Sequence, residues 1–231
     1  MGACRRALVV VALALFAALP AQAAIMQAVY SGTIADGFDE GGYFFDVYTD
    51  LAGQAFAATF VYDTSRGTRS TFPLSDSVTG GSLLGGAAMP MLSALLTING
   101  RSYGFGPVTI GAATIATDGT SLTRTEHRGE ADSSDGTTRV EDVLLVGLRA
   151  PGVVVPNLDL PLALTDDDDF FQGSFVFART DVVGATRTAY AGGRFLTDSV
   201  AITPVPLPAA AWLMLSGLGA LGWFGRRHRA S

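Results

Sequence analysis

Residues 95–105 read LLTINGRSYGF, and this stretch decides the fold class. Asn99-Gly100 is the preferred central pair of a type I′ turn, because both positions need positive φ. Such a turn pairs Ile98 with Arg101 and Leu96 with Tyr103, and Phe105 continues the same face. One apolar face results, with Arg101 at the turn as its exception. The spacing predicts strands at 94–98 and 101–105.

The same two-residue alternation recurs on both sides of this hairpin. In AFAATFVYDT, Phe56, Ala58, Phe60 and Tyr62 share a face; in GSFVFAR, Phe175 and Phe177 share one while Ser174 and Val176 take the other. In FLTDSVAIT, Val200 and Ile202 align. QAVYSGTIA and GGYFFDVYT read as the first two strands. TSLTRTEHR and TTRVEDVLLVGL read as a second hairpin across the polar linker GEADSSDG. Val143 to Leu148 is apolar enough for a central strand covered on both faces. TGGSLLGGAAMP reads as a glycine-rich loop, and PGVVVPNLDLPLALTDDDD as an irregular, proline-broken surface or edge segment. Helix-period stretches are scarce. The expectation is an all-β protein, with a single jelly-roll-like β-sandwich domain over residues 24–203.

The two ends differ from this middle. Arg5 and Arg6 precede an unbroken apolar run from Ala7 to Leu19, and Ala21-Gln22-Ala23 is a small-x-small pattern. These are the parts of a secretory signal peptide over residues 1–23, handled by the Sec translocon and cleaved by signal peptidase next to Ala21 and Ala23. The sole cysteine, Cys4, leaves with it, so the mature chain is expected to hold no disulfide and no thiol ligand. Residues 209–225 carry no charge. As a helix they reach about 25 Å, slightly short of the hydrocarbon core but within the tolerated range for a membrane span. Trp212 and Trp223 lie near its ends, and Arg226, Arg227 and Arg229 follow as a basic stop-transfer tail at 226–231.

Val205-Pro206-Leu207-Pro208-Ala209 stands directly before that span. Motif, span and arginine cluster, in this order, resemble the PEP-CTERM sorting signal of exported bacterial proteins. The resemblance covers residues 204–231 and is to the VPLPA variant, with Leu207 where glutamate is usual. LAGQAFAATFVYDTS also resembles an apolar-strand opening that recurs in exported proteins of this kind. The resemblance implies a partner, the integral-membrane protease exosortase, which recognises the signal and removes the tail. It implies an inner-membrane-anchored intermediate, then a cell-surface or extracellular product.

Charge and chemistry narrow what the middle does. All 21 acidic residues lie between Asp36 and Asp198, against ten arginines and no lysine, a net −11 for the exported domain. Such a surface repels nucleic acid and anionic lipid. The chain has no nucleophile elbow, Walker loop or dinucleotide fingerprint, and no cofactor or metal is expected from its motifs. His127, alone between Glu126 and Arg128 in a polar strand, reads as a solvated residue. Asp166 to Asp169 read as a solvated acidic loop, with Asp166 and Asp168 as candidate Ca²⁺ ligands in the competing reading. The leading expectation is a non-enzymatic surface or matrix-associated protein of a Gram-negative bacterium. The alternative is a carbohydrate-binding or adhesive module for extracellular polysaccharide, with Tyr43, Phe44, Phe45 and Tyr48 as candidate aromatics. A third reading is a carboxylate-based glycoside hydrolase using a pair drawn from Glu126, Glu130, Glu141 and the aspartates.

Overall fold

The computed structural model describes residues 25–83, 85–105, 108–166 and 171–205. Ala21, Ala23, Pro206 to Ala209, the expected span and Arg226, Arg227 and Arg229 lie outside the described residues, as do Asp167 to Asp169.

Every regular element described is a β-strand: β1 (Ile25–Asp39), β2 (Thr49–Asp50), β3 (Ala55–Asp63), β4 (Thr68–Phe72), β5 (Ser75–Gly80), β6 (Met91–Ile98), β7 (Arg101–Gly104), β8 (Ile110–Thr117), β9 (Leu122–Ser134), β10 (Thr138–Pro151), β11 (Leu162–Thr165), β12 (Phe171–Asp181) and β13 (Thr186–Pro204). They form one antiparallel sheet in the order β4-β5-β8-β9-β10-β12-β13-β1-β3-β6-β7, with β2 added to β1 and β11 to β13. The described residues are all-β, as their alternation predicts. Where a sandwich of two sheets was expected, a single hydrogen-bonded path curls back on itself.

The curl brings β6 and β7 over β8, β9, β10 and β12. Gly129 of β9 makes the approach possible, since a Cβ there would stand 2.9 Å from Ala94 Cβ on β6. Tyr103 of β7 donates its hydroxyl to Asp142 Oδ2 of β10 at 3.0 Å, and Arg179 of β12 donates to the same carboxylate. Between the two halves lies the core. Phe56, Ala58, Phe60 and Tyr62 are at most 4% exposed, and Phe175, Phe177, Val200 and Ile202 at most 2%. A fully buried side chain of this size contributes about 1.5–3 kcal/mol. Phe195 links the aromatics, stacking on Phe175 at 5.3 Å and meeting Phe56 at 4.2 Å.

The hairpin at 95–105 forms in the predicted register, Ile98 opposite Arg101 and Leu96 opposite Tyr103. Asn99 and Gly100 take φ of 50° and 74°.

Other expectations change. GGYFFDVYT is not a second strand. Only Thr49–Asp50 pair, because the buried Asp39 carboxylate gathers the N–H groups of Tyr43, Phe44 and Phe45 at 3.0, 2.7 and 3.2 Å and folds the segment into a loop. GEADSSDG is mostly strand rather than linker. β9 runs on to Ser134, and residues 135–137 make the turn, in which Asp135 accepts N–H bonds from Thr137 and Thr138 at 2.8 and 2.7 Å. Val143 and Leu145 are half-buried while Leu144 and Val146 are fully buried, so the centre of β10 alternates and is not sealed on both faces. Within the proline-broken segment, β11 adds four residues to β13.

Candidate functional site

A broad surface groove lies where β12, β13, β1 and β2 cross on the outer face of the sheet. Register sets its plan. Val176, Gly192, Phe38 and Asp50 stand in one row across the four strands, and Ser174, Arg194 and Asp36 in the next. Pleating puts every member of these rows on the same face. Gly192 has no side chain to fill its place, and a groove of about 610 Å³ opens there, in the range of ligand pockets.

Aromatic rings line it. Tyr190 leans over Gly192, so a Cβ on that glycine would meet Tyr190 Oη at 2.4 Å. The Arg187 guanidinium lies over the Tyr190 ring at 4.1 Å and pairs with Glu40 at 3.1 Å. Phe38 is 38% exposed and packs against Tyr48 at 6.4 Å between ring centres. Tyr48 is 74% exposed and holds φ of 64°, a conformation an aromatic residue rarely adopts. Next along the chain, Thr49 Oγ1 donates to Asp46 O at 2.6 Å. Charge is added by Asp36, which accepts from Arg194 Nε at 2.8 Å, and by Asp50.

The four aromatics expected to act together are split by the structure. Tyr48 is exposed beside Phe38 but is not one of the residues that line the groove. Phe44 is fully buried against Phe175 and Phe177, and Phe45 packs on the core. Tyr43 is half-buried, edge-on to Tyr103 at 5.1 Å, and burial raises its pKa. Phe38 and Tyr190, which line the groove, were not singled out in the sequence. Only their registration with Gly192 marks them.

Each candidate glutamate faces an arginine, and Asp132, opposite Glu141 on the neighbouring strand, shares Arg139 with it. Glu126 pairs with Arg124 and Glu130 with Arg128, each two residues along the same face of β9, and Glu141 lies 3.9 Å from Arg139. A second depression of about 270 Å³ beside Gly147 holds Glu126 with Arg124 and Arg149. Asp166 accepts from Gln172 Nε2, and its N–H bonds Asp198 O at 2.8 Å. Among the described residues no group of three His, Cys, Asp or Glu side chains gathers as a metal site.

His127 is a correction. It is fully buried, not solvated, because the inward face of β9 carries Thr123, Thr125, His127, Gly129 and Ala131. Its Nδ1 lies 2.6 Å from Tyr30 Oη, which also donates to Thr125 Oγ1 at 3.0 Å. Its Nε2 is buried with no hydrogen-bond partner among the described residues. Burial pushes His127 down to about 3. It also raises the Tyr30 and Tyr62 hydroxyls well above their usual range.

Of the sorting motif, only Val205 is described. Its N–H donates to Ile25 O at 2.8 Å, one residue past the end of β13. The PEP-CTERM protein-sorting motif matches residues 204–230 of the chain. No curated protein and no solved structure matches it.

Proposed function

We propose that this chain, which carries the PEP-CTERM protein-sorting motif at residues 204–230, is a surface or matrix-associated protein of a Gram-negative bacterium whose β-domain is non-enzymatic. The motif itself supports export and sorting by exosortase, a membrane protease. The route begins with the Sec translocon and signal peptidase and passes through an inner-membrane intermediate. The fold reading goes with it: β6 and β7 lying across β8 to β10 support a sandwich made by one curled sheet. The motif match carries this reading. Its test is to express the full chain with and without exosortase and to weigh the products. Loss of the tail only when exosortase is present is expected, together with its retention in Pro206→Ala/Pro208→Ala. An intact tail in both strains overturns it.

A second reading concerns what the delivered domain does. The groove lined by Phe38 and Tyr190, with the exposed Tyr48 ring 6.4 Å from Phe38, supports binding of an extracellular polysaccharide. Exposed rings take the apolar face of a sugar, and Asp36, Asp50 and Ser174 offer partners for its hydroxyls. The net −11 of the domain favours a neutral glycan over an anionic one. The observation that favours this reading is Tyr48, held exposed on a left-handed backbone beside Phe38. The test is titration of the processed protein with neutral and acidic polysaccharides. Binding of a neutral one, weakened about tenfold or more by Tyr48→Ala, is expected on the scale of aromatic contacts. No binding, or binding indifferent to Tyr48 and Phe38, overturns it.

A further inference from the structure

The last strand of the domain runs directly into the sorting motif. Ile202, Thr203 and Pro204 stand opposite Ala28, Gln27 and Met26 of β1, and Val205 adds its bond to Ile25. On its other edge β13 is covered by β11, with Leu164, Ala163 and Leu162 opposite Val200, Ala201 and Ile202. Val200 and Ile202 are 2% and 0% exposed, whereas Thr203 and Pro204 are exposed. Three residues therefore separate the last fully buried side chain from Pro206, about 10 Å of extended chain. Those three are themselves paired with β1 or bonded to it.

A protease that takes its substrate as an extended strand needs the main-chain groups of the residues before its cut. Groups bonded within a sheet are not free to be shared with a cleft. Proline at 204 and 206 leaves few N–H donors in this stretch, so those of Thr203 and Val205 matter more. We propose that the β1–β13 seam gates tail removal: the end of β13 has to fray from β1 at Thr203–Val205 before the membrane protease can seat the residues upstream of its cut. Fraying stops at Ile202, whose side chain is locked in the core and whose backbone is flanked on both edges. The rate of processing then follows the fraction of chains frayed to that point. A domain not yet closed at this seam, or loosened there, is processed faster than a finished one. This inference rests on the reading that exosortase processes the tail.

The test measures processing rates by pulse-chase in cells carrying exosortase. A flexible ten-residue Gly/Ser spacer is inserted between Thr203 and Pro204, which keeps the matched motif whole. A second chain joins residues 204–231 through the same spacer to an unrelated exported domain and gives the ungated rate. The spacer is expected to speed processing about fivefold, to the rate of the second chain, as release of a frayed end allows. Ile202→Ala, which moves the fray point inward, is expected to be faster than the parent with unchanged circular dichroism. If Ile202→Ala misfolds, the spacer arm decides. Equal rates for parent and spacer, with the second chain processed, overturn the gate alone. If the second chain keeps its tail, the exosortase reading falls and the gate falls with it.

Discussion

Tyr30 Oη lies 2.6 Å from His127 Nδ1, joining β1 to β9 inside the core. Phe60 and Tyr62 pack against the same imidazole at 5.6 and 4.8 Å between ring centres. Burial keeps the histidine neutral, and the energetic consequence is a dependence on pH.

In the unfolded chain His127 binds a proton near 6.5. In the folded chain burial lowers that to about 3. The unfolded state therefore takes the proton first as pH falls, so this stabilisation is complete above 6.5 and is lost on the way down to 3. The slope is about 1.4 kcal/mol per pH unit. Asp76 and Asp135, whose folded pKa values are also lowered, add their loss only below about 4. Urea unfolding between pH 7 and 4.5 checks this. The parent should lose stability across that window and His127→Gln should be nearly flat. Equal losses in both would place the titrating group elsewhere.

Asp39 is the hub of the loop that presents Tyr48. Asp39→Ala leaves three buried or half-buried N–H groups without their acceptor. A cost of about 3 kcal/mol is expected, since each orphaned donor carries a desolvation penalty. Limited proteolysis should open first between residues 40 and 48. Cleavage elsewhere at an unchanged rate would show that the loop is held by its aromatics alone.

Neighbouring glycines of β13 should respond in opposite ways. At Gly192 an added Cβ meets the tip of Tyr190, a side chain that can swing aside. At Gly193 it meets Asp36 O at 2.6 Å and Gly37 Cα at 3.0 Å, which cannot move without parting β13 from β1. Gly192→Ala is expected to cost less than about 1 kcal/mol, and Gly193→Ala more than about 2 kcal/mol. Thermal melts of the two variants check the order, and a reversed order would contradict the face assigned to each.

Asp142 is 1% exposed and accepts from both Arg179 and Tyr103. Burial and the nearby Asp142 charge push the Tyr103 hydroxyl up to about 12. Asp142→Ala strands a partly buried guanidinium, and a loss of about 3 kcal/mol is expected. In the same variant Tyr103 should titrate at lower pH, because the negative charge beside it is gone. Ultraviolet titration of the tyrosines reads this shift.

Much of the fold is legible in the sequence because period-two alternation and a hairpin turn are local signals. Asn99-Gly100 fixed one register, and Phe56 to Tyr62 and Val200 to Ile202 announced their buried faces. The loop at 41–48 was missed because Tyr43, Phe44 and Phe45 have strand-favouring side chains. What folds them is one carboxylate four to six residues upstream, aided by Gly42 at φ 72°. His127 was misread because its strand looks polar. Thr123, Thr125 and His127 do share one face, and a stricter count of alternate positions would have turned it inward. The groove was not legible at all. Val176, Gly192, Phe38 and Asp50 come from four strands, and only the long-range register aligns them.

β1 and β13 are bonded along nearly their whole length, with the Ser31 and Ser199 hydroxyls 2.8 Å apart across 168 positions of sequence. A contact of that span gives the domain a high contact order and slow closure. For a chain that crosses a membrane from its N-terminal end, β1 arrives first and its partner last. The sheet therefore stays open at its centre through most of the crossing, with the edges of β1 and β12 bare. The β9–β10 and β6–β7 hairpins fold locally in the interval, but they build on the far edges of β12 and β3, so only β13 can close that gap.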